Sequence, residues 1–191
     1  MTLYRIAILG AIVTCALSYR ILADQTAEAD GPQFTASGEL LRPGGYREWV
    51  WLSSGLGMAY GPNASEASDP PFDNVFAQPA AYRSFLKTGT WPEGTVLVLE
   101  IRASVSKGSI NRAGHFQGEF RRIEAEVKQG GKWTFYAFEA QRPSGARIPE
   151  SASCYSCHST HGAVDNTFVQ FYPTLSEVAR SKGTFRQPPE N

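Results

Sequence analysis

The feature that most constrains this chain is a cluster of thiol and imidazole side chains near its C-terminal end. Residues 153–162 read Ser-Cys-Tyr-Ser-Cys-His-Ser-Thr-His-Gly, which places Cys154, Cys157 and His158 almost side by side, with His161 shortly after them. The chain has 3 cysteines, and the remaining one is Cys15. Whatever these side chains bind must therefore be held by one short segment late in the chain.

The spacing Cys-x-x-Cys-His is typical of haem c attachment. Two thiols at this spacing add to the haem vinyl groups, and the adjacent histidine points at the iron as its proximal ligand. A zinc site that also used His161 is the first alternative, although structural zinc sites normally take ligand pairs from separated segments. A redox dithiol is the second alternative, but such a pair is expected at the start of a helix in a βαβ unit. A plain disulfide is the third, but it does not require His158. The motif predicts one covalent haem c per chain, held by Cys154, Cys157 and His158.

The second axial position of the iron decides what such a haem can do. No methionine follows His158, and the only methionine besides Met1 is Met58. His161 lies on the same side of the haem as His158, and His115 is typical of a strand-end surface residue. Met58 is the alternative distal ligand, although we expect it to fill a gap in the core. The sequence therefore favours an open distal side.

The first residues have the pattern of a secretory signal. Arg5 precedes an apolar run over 6–17, and Ala23 closes a plausible cleavage site. The pattern predicts a signal peptide over 1–23 and a periplasmic mature protein. The run is short for a membrane span, which needs about 20 apolar residues, so an uncleaved N-terminal anchor is the alternative. Cleavage would remove Cys15 and leave a weakly acidic protein, a charge that does not suit nucleic acid as a partner.

The rest of the chain predicts one globular domain that is mainly β. Hydrophobic residues make up 42% of the chain and charged residues 19%, which is typical of a folded domain. Residues 95–102 and 116–128 have the period of strands with one buried face, since one face of the first carries Leu97, Leu99 and Ile101 and one face of the second carries Ile123, Ala125 and Val127. Gly130-Gly131 predicts a hairpin turn and 133–138 its return strand. We expect an antiparallel sheet with a few short helices, an α+β arrangement with the haem attached near the C-terminus.

Two helices and the domain limits complete the prediction. A helix is expected over 79–87, with Gly89 as its C-terminal cap. A second is expected to begin at Thr174 with a capping box and to stop at Gly183. Residues 24–38 are polar and predict a flexible segment, so the haem-binding domain is expected over 39–191.

Several short motifs, in one order along most of the chain, resemble the cytochrome P-460 and cytochrome c′-β family. The resemblance implies a mainly antiparallel β fold, usually a homodimer, with one haem c whose proximal ligand is His158 and whose distal side is often vacant or apolar. Besides the Cys-x-x-Cys-His motif, the matching stretches are Tyr46–Trp49, Phe72–Val75, Ala81–Tyr82, Thr88–Gly89, Glu93–Val96, Trp133–Tyr136 and Asp165–Pro173.

The family has two functional kinds, and the sequence departs from one of them. The cytochrome P-460 kind oxidises hydroxylamine and crosslinks a lysine to the porphyrin, whereas the cytochrome c′-β kind lacks the crosslink and binds nitric oxide and other small gases. Leu99 stands where the resemblance would place the lysine. The resemblance to the first kind also implies a carboxylate shortly after the haem histidine, but residues 159–164 contain no acid. Thr160 and His161 are left as weak candidates for proton transfer.

These observations predict a periplasmic mono-haem c protein that binds nitric oxide or a similar small gas at an open distal site. One alternative is an electron-transfer cytochrome with Met58 as axial ligand and a redox partner protein. Another is an oxidoreductase acting on hydroxylamine, nitric oxide or peroxide. Phe72, Phe76 and Phe85 are candidates for apolar distal packing, although core packing is the more common role for each.

Overall fold

A computed structural model of the protein describes residues 31–58, 69–139 and 142–189. The predicted signal peptide over 1–23 lies outside these residues, as do 24–30 of the expected flexible segment. Among the described residues, none of the helices has both the length and the apolar character needed to cross a membrane. The compact unit begins at Pro32.

The described residues form one antiparallel sheet with short helices, which confirms the predicted fold class. Seven strands are ordered β1-β7-β6-β5-β4-β3-β2 within these residues, and each neighbouring pair is antiparallel. The strands are β1 Leu40–Leu41, β2 Val50–Leu56, β3 Phe72–Ala77, β4 Val96–Val105, β5 Phe116–Gln129, β6 Lys132–Phe138 and β7 Ser144–Arg147. The α-helices are α1 Pro79–Thr88, α2 Ser153–His161 and α3 Pro173–Lys182, and 3-10 turns span Tyr46–Glu48 and Val169–Phe171.

The two central strands divide the interior into two layers, one on each face of the sheet. Leu97 of β4 packs with the helices on one face. Val98 of β4 and Ala125 of β5 are cross-strand partners in the core on the other face, together with Ile123 and Val127. The period-two alternation of both strands produces this division, because successive side chains point to opposite faces.

A buried carboxylate ties the segment before β2 to the second face. Glu100 accepts hydrogen bonds from the Tyr46 hydroxyl, from Arg47 Nε at 2.7 Å and from Arg102 Nη1 at 3.0 Å. Burial acts to raise the pKa of Glu100, but these hydrogen bonds outweigh it and the pKa is lowered. The Tyr46–Trp49 motif therefore has a structural role away from the Cys-His helix.

The structure departs from the sequence predictions at three places. Ser144–Arg147, for which no strand was predicted, pairs with β6 and β1. Gly145 permits this pairing, since a Cβ there would lie 2.7 Å from the Phe138 ring. The folded unit also starts before Glu39: Phe34 pairs with Leu40 and contacts the Tyr136 ring at 5.9 Å between centroids.

The third correction concerns the start of α3. Pro173 occupies the first turn and Tyr172 is the N-cap, with no side-chain capping bond, so Thr174 does not form the expected capping box. Proline suits this position because its missing N–H would have no helical partner there. Gly183 ends the helix in a left-handed conformation, as predicted, and Gly89 ends α1 in the same way.

Candidate functional site

Helix α2 carries the Cys-His motif and presents it on one side. Ser153–His161 is helical, and its last turn closes through the Gly162 N–H to the His158 carbonyl at 2.9 Å. Cys154, Cys157 and His158 stand at positions i, i+3 and i+4, which share one helix face. All three line the same cavity. Helix geometry therefore converts the short spacing of the motif into a single reactive surface.

The cavity lies between α2 and the face of the sheet that carries Leu97 and Leu99. Its volume is about 330 Å³, within the size range of small-molecule and cofactor pockets. The apolar wall is contributed by strands and by the segment after α2, and it includes Val75, Leu97, Leu99, Phe135, Ile148, Phe168, Phe171 and Tyr172.

The His158 imidazole is held in one orientation within this cavity. Its Nδ1 lies 2.9 Å from the Asn166 carbonyl oxygen, and its ring centroid lies 4.6 Å from that of Phe135 and 4.2 Å from that of Phe168. Burial lowers the pKa of His158 to about 4, and the hydrogen bond that the ring makes to the Asn166 backbone carbonyl opposes this effect only in part. A neutral ring that donates from Nδ1 has its lone pair on Nε2, the form that ligates a metal.

The sequence profile of the family Cytochrome P460 matches residues 43–169, which is most of the chain. This protein belongs to the cytochrome P460 family. No match to a curated protein was found. Membership makes the protein a haem-binding cytochrome. The match covers strands β2 to β7, α1 and the Cys-His helix, and leaves out β1 and α3.

The residues around the cavity fit a haem. Cys154 and Cys157 are free thiols, both part-buried at the cavity wall, and His158 is a neutral imidazole on the same helix face. Thiols at this spacing with an adjacent histidine are the donor set of haem c. Among the described residues, no three His, Cys, Asp or Glu side chains gather closely enough to hold a metal ion on their own.

Three carboxylates that the sequence pattern did not indicate line the cavity wall of this family member. Glu124 and Glu126 alternate with the buried residues of β5, so they project from the opposite face, and Asp73 joins them from β3. Alternation alone suggested a solvent-facing side. Helix α2 packs over that side, so the polar face of β5 lines the cavity instead of facing solvent. This placement follows only from the tertiary structure.

Glu126 is the most unusual of the three. Its Oε2 is fully buried, lies 3.5 Å from His158 Nδ1 and has no hydrogen-bond partner among the described residues. Burial raises the pKa of Glu126 to about 8, with the charge of Asp165 adding to the effect. Because the pKa of His158 is lowered instead, both groups are neutral at pH 7, so this contact is not an ion pair.

The remaining candidate residues are distributed as follows. Met58 lines the cavity, which corrects the expectation that it fills a gap in the core. It packs against Gly55, where a Cβ would lie 2.3 Å from the methionine sulfur. Thr160 and His161 are not among the cavity-lining residues, and their carbonyls accept from Arg186 and Gln170.

Four further candidates also lie away from the cavity wall. His115 is exposed. Phe72, Phe76 and Phe85 do not line the cavity in the described part of the chain. Phe85 is fully buried in the core beneath α1, and Phe76 packs against the core on the other face of the sheet.

Asp73 gives the stability of this protein a pH dependence that can be measured. Burial raises the pKa of Asp73 to about 6 from 3.8, with Arg122 opposing the rise and Glu124 adding to it. The folded state binds this proton more tightly than the unfolded chain, so the stabilisation is complete below the unfolded pKa and is lost as pH rises through 6.

Asp73→Asn stays neutral and is therefore expected to gain stability relative to the parent only at high pH. After discounting for partial exposure, the gain at pH 8 is about 1 kcal/mol, and it disappears near pH 3. Urea unfolding of both proteins at the two pH values measures it. An identical difference at both values would contradict the assignment.

Proposed function

We propose that the protein is an exported mono-haem c-type cytochrome that binds nitric oxide or a similar small gas. Cys154 and Cys157 would hold one haem through thioethers, and His158 would be its proximal iron ligand. The observation that carries the proposal is the convergence of these three side chains from one helix face onto one cavity. The haem supplies an iron that can bind a diatomic molecule on the side opposite His158.

The walls of the cavity favour a small neutral ligand. Val75, Leu97 and Leu99 give it an apolar surface on the sheet side. Leu99 also stands where the resemblance to the crosslinked kind places a lysine, and a leucine side chain cannot form that bond. Nitric oxide needs no hydrogen-bond donor, unlike dioxygen, so an apolar lining suits it.

The optical spectrum of the purified protein tests this function. We expect a five-coordinate, high-spin spectrum in the ferrous state that changes when nitric oxide is added. A six-coordinate, low-spin spectrum that ignores the gas would overturn gas binding. A preparation with no haem absorption would overturn the reading of Cys154, Cys157 and His158.

Met58→Leu separates gas binding from electron transfer. Leucine keeps the apolar volume of methionine but cannot ligate iron, so the ferric and ferrous spectra are expected to be unchanged. A change from low-spin to high-spin on substitution would make Met58 the axial ligand and favour an electron carrier. Leu56→Met, close to it in sequence but not among the cavity-lining residues, serves as the control and should also leave the spectrum unchanged.

A second candidate is oxidation or reduction of a small nitrogen compound or peroxide. Asp73 and Glu124 favour it, because carboxylates in a cavity wall can accept or deliver protons beside a reacting ligand. Steady-state assays with hydroxylamine and with peroxide test this candidate. Turnover that Asp73→Asn or Glu124→Gln reduces at least tenfold would favour the enzyme, and absence of turnover would favour the gas binder.

We also propose export to the periplasm and a homodimer, following the N-terminal pattern and the family resemblance. Cell fractionation is expected to place the protein in the periplasmic fraction, whereas recovery in the membrane fraction would indicate an uncleaved anchor. Analytical ultracentrifugation is expected to give the mass of two chains.

A further inference from the structure

The turn that follows helix α2 has an unusual backbone. Asp165 and Asn166 have φ values of 51° and 59°, so two consecutive non-glycine residues adopt the left-handed conformation. Aspartate and asparagine tolerate this region better than other residues, but it remains costly and persists where surrounding contacts enforce it. The turn is closed by the Thr167 N–H and hydroxyl, which both donate to the Val164 carbonyl.

Contacts from the sheet hold this turn at several points. Lys128 and Trp133 are cross-strand partners on β5 and β6. The Lys128 ammonium donates to the Asp165 carboxylate and to the Trp91 carbonyl at 2.8 Å, while Trp133 Nε1 donates to the Asp165 carbonyl at 2.7 Å. Trp91 Nε1 donates to Thr167 Oγ1 at 2.9 Å. The Lys128 side chain is only 12% exposed, so its ion pair is screened less than a surface pair.

The turn presents one group to the haem-binding helix. The Asn166 carbonyl lies 2.9 Å from His158 Nδ1, nearer than Glu126 Oε2 at 3.5 Å. The acceptor on the outer nitrogen of a ligating histidine fixes the ring orientation and raises its basicity toward the metal. The position of this carbonyl depends on the backbone angles of Asp165 and Asn166. It therefore also depends on the contacts that Lys128 and Trp133 make to Asp165.

We propose that Lys128, acting through Asp165, is a positioning residue for His158. The ion pair holds the left-handed turn that presents the Asn166 carbonyl to Nδ1, and it thereby sets the strength of the iron–histidine bond. The inference rests on the proposed function, in which His158 ligates the haem iron. Loss of the ion pair lets the carbonyl move away, so the imidazole donates less electron density and the reduced iron is favoured.

Two conservative variants test the proposal in the haem-loaded protein. Asp165→Asn keeps the side-chain size and the tolerance of a left-handed backbone, and Lys128→Met keeps the apolar stem. Both are expected to lower the ferrous iron–histidine stretching frequency in resonance Raman spectra and to raise the reduction potential. The double variant is expected to shift no further than either single variant, because all three lose the same contact. Lys132→Met, an exposed lysine of the same hairpin, should leave both readouts unchanged.

The outcomes separate this inference from the proposed function. Absence of an iron–histidine band from the parent protein would overturn the proposed function. A parent band that stays in place in Asp165→Asn would overturn only the positioning role, even where Lys128→Met fails to fold. Additive shifts in the double variant would show that the two residues act separately and would equally overturn the proposal.

Discussion

His158→Gly is expected to abolish the histidine-ligated haem spectrum. In the proposed function the imidazole ligates the iron, whereas Cys154 and Cys157 attach only the porphyrin edge. Imidazole added to the purified variant is expected to restore the spectrum, because it can occupy the space that the side chain leaves between Phe135 and Phe168. Optical titration with imidazole measures the recovery.

His161→Gly is the matched control for this experiment. His161 lies on the same helix but is not among the cavity-lining residues. The spectrum of this variant is therefore expected to match that of the parent. A His158→Gly protein with the parental spectrum would contradict the assignment of the proximal ligand. Loss of the spectrum in His161→Gly alone would transfer the role to that residue.

Phe85→Ala is expected to cost about 3–5 kcal/mol in the free energy of unfolding. Phe85 is 0% exposed, and its ring centroid lies 4.5 Å from that of Trp91 in the core between α1, α3 and the sheet. Removal of the ring loses its apolar contacts and leaves a cavity that the packed neighbours fill only in part. Urea unfolding followed by far-UV circular dichroism measures the loss.

Leu86→Ala provides the comparison on the same helix. Leu86 is 37% exposed, so its truncation is expected to cost at most about 1 kcal/mol. The slope of free energy against urea should be the same for both variants and the parent, since neither changes the surface exposed on unfolding appreciably. Equal losses for Phe85→Ala and Leu86→Ala would contradict the described packing of α1.

Local patterns in the sequence were sufficient for the central sheet. The strands β4 and β5, the Gly130-Gly131 turn and the Gly89 cap depend on residues close together in sequence, and the structure confirms them. The prediction of one buried face was wrong for β4, because Leu97 and Val98 are buried on opposite faces of the sheet. Strand β7 was missed because its four residues carry no alternation of their own. It pairs because Gly145 fits beneath Phe138, a contact that sequence spacing does not reveal.

The candidate site was predictable only in part for a similar reason. The Cys-x-x-Cys-His motif consists of neighbouring residues, so its members could be identified from their spacing, whereas the helix Ser153–His161 that carries them was not predicted. Asp73, Glu124 and Glu126 reach the cavity because β3, β4 and β5 are adjacent and α2 covers that face. Their neighbours in space are distant in sequence. No acid stands between His158 and Asp165 in the sequence, although the folded chain places three in the cavity wall.

The most direct test of the account is the intact mass of the exported protein, with peptide mapping of the segment around His158. We expect the mass of the mature chain plus one haem, carried by the peptide that contains Cys154 and Cys157. A mature chain without added haem, with both thiols free to react with an alkylating reagent, would contradict the account.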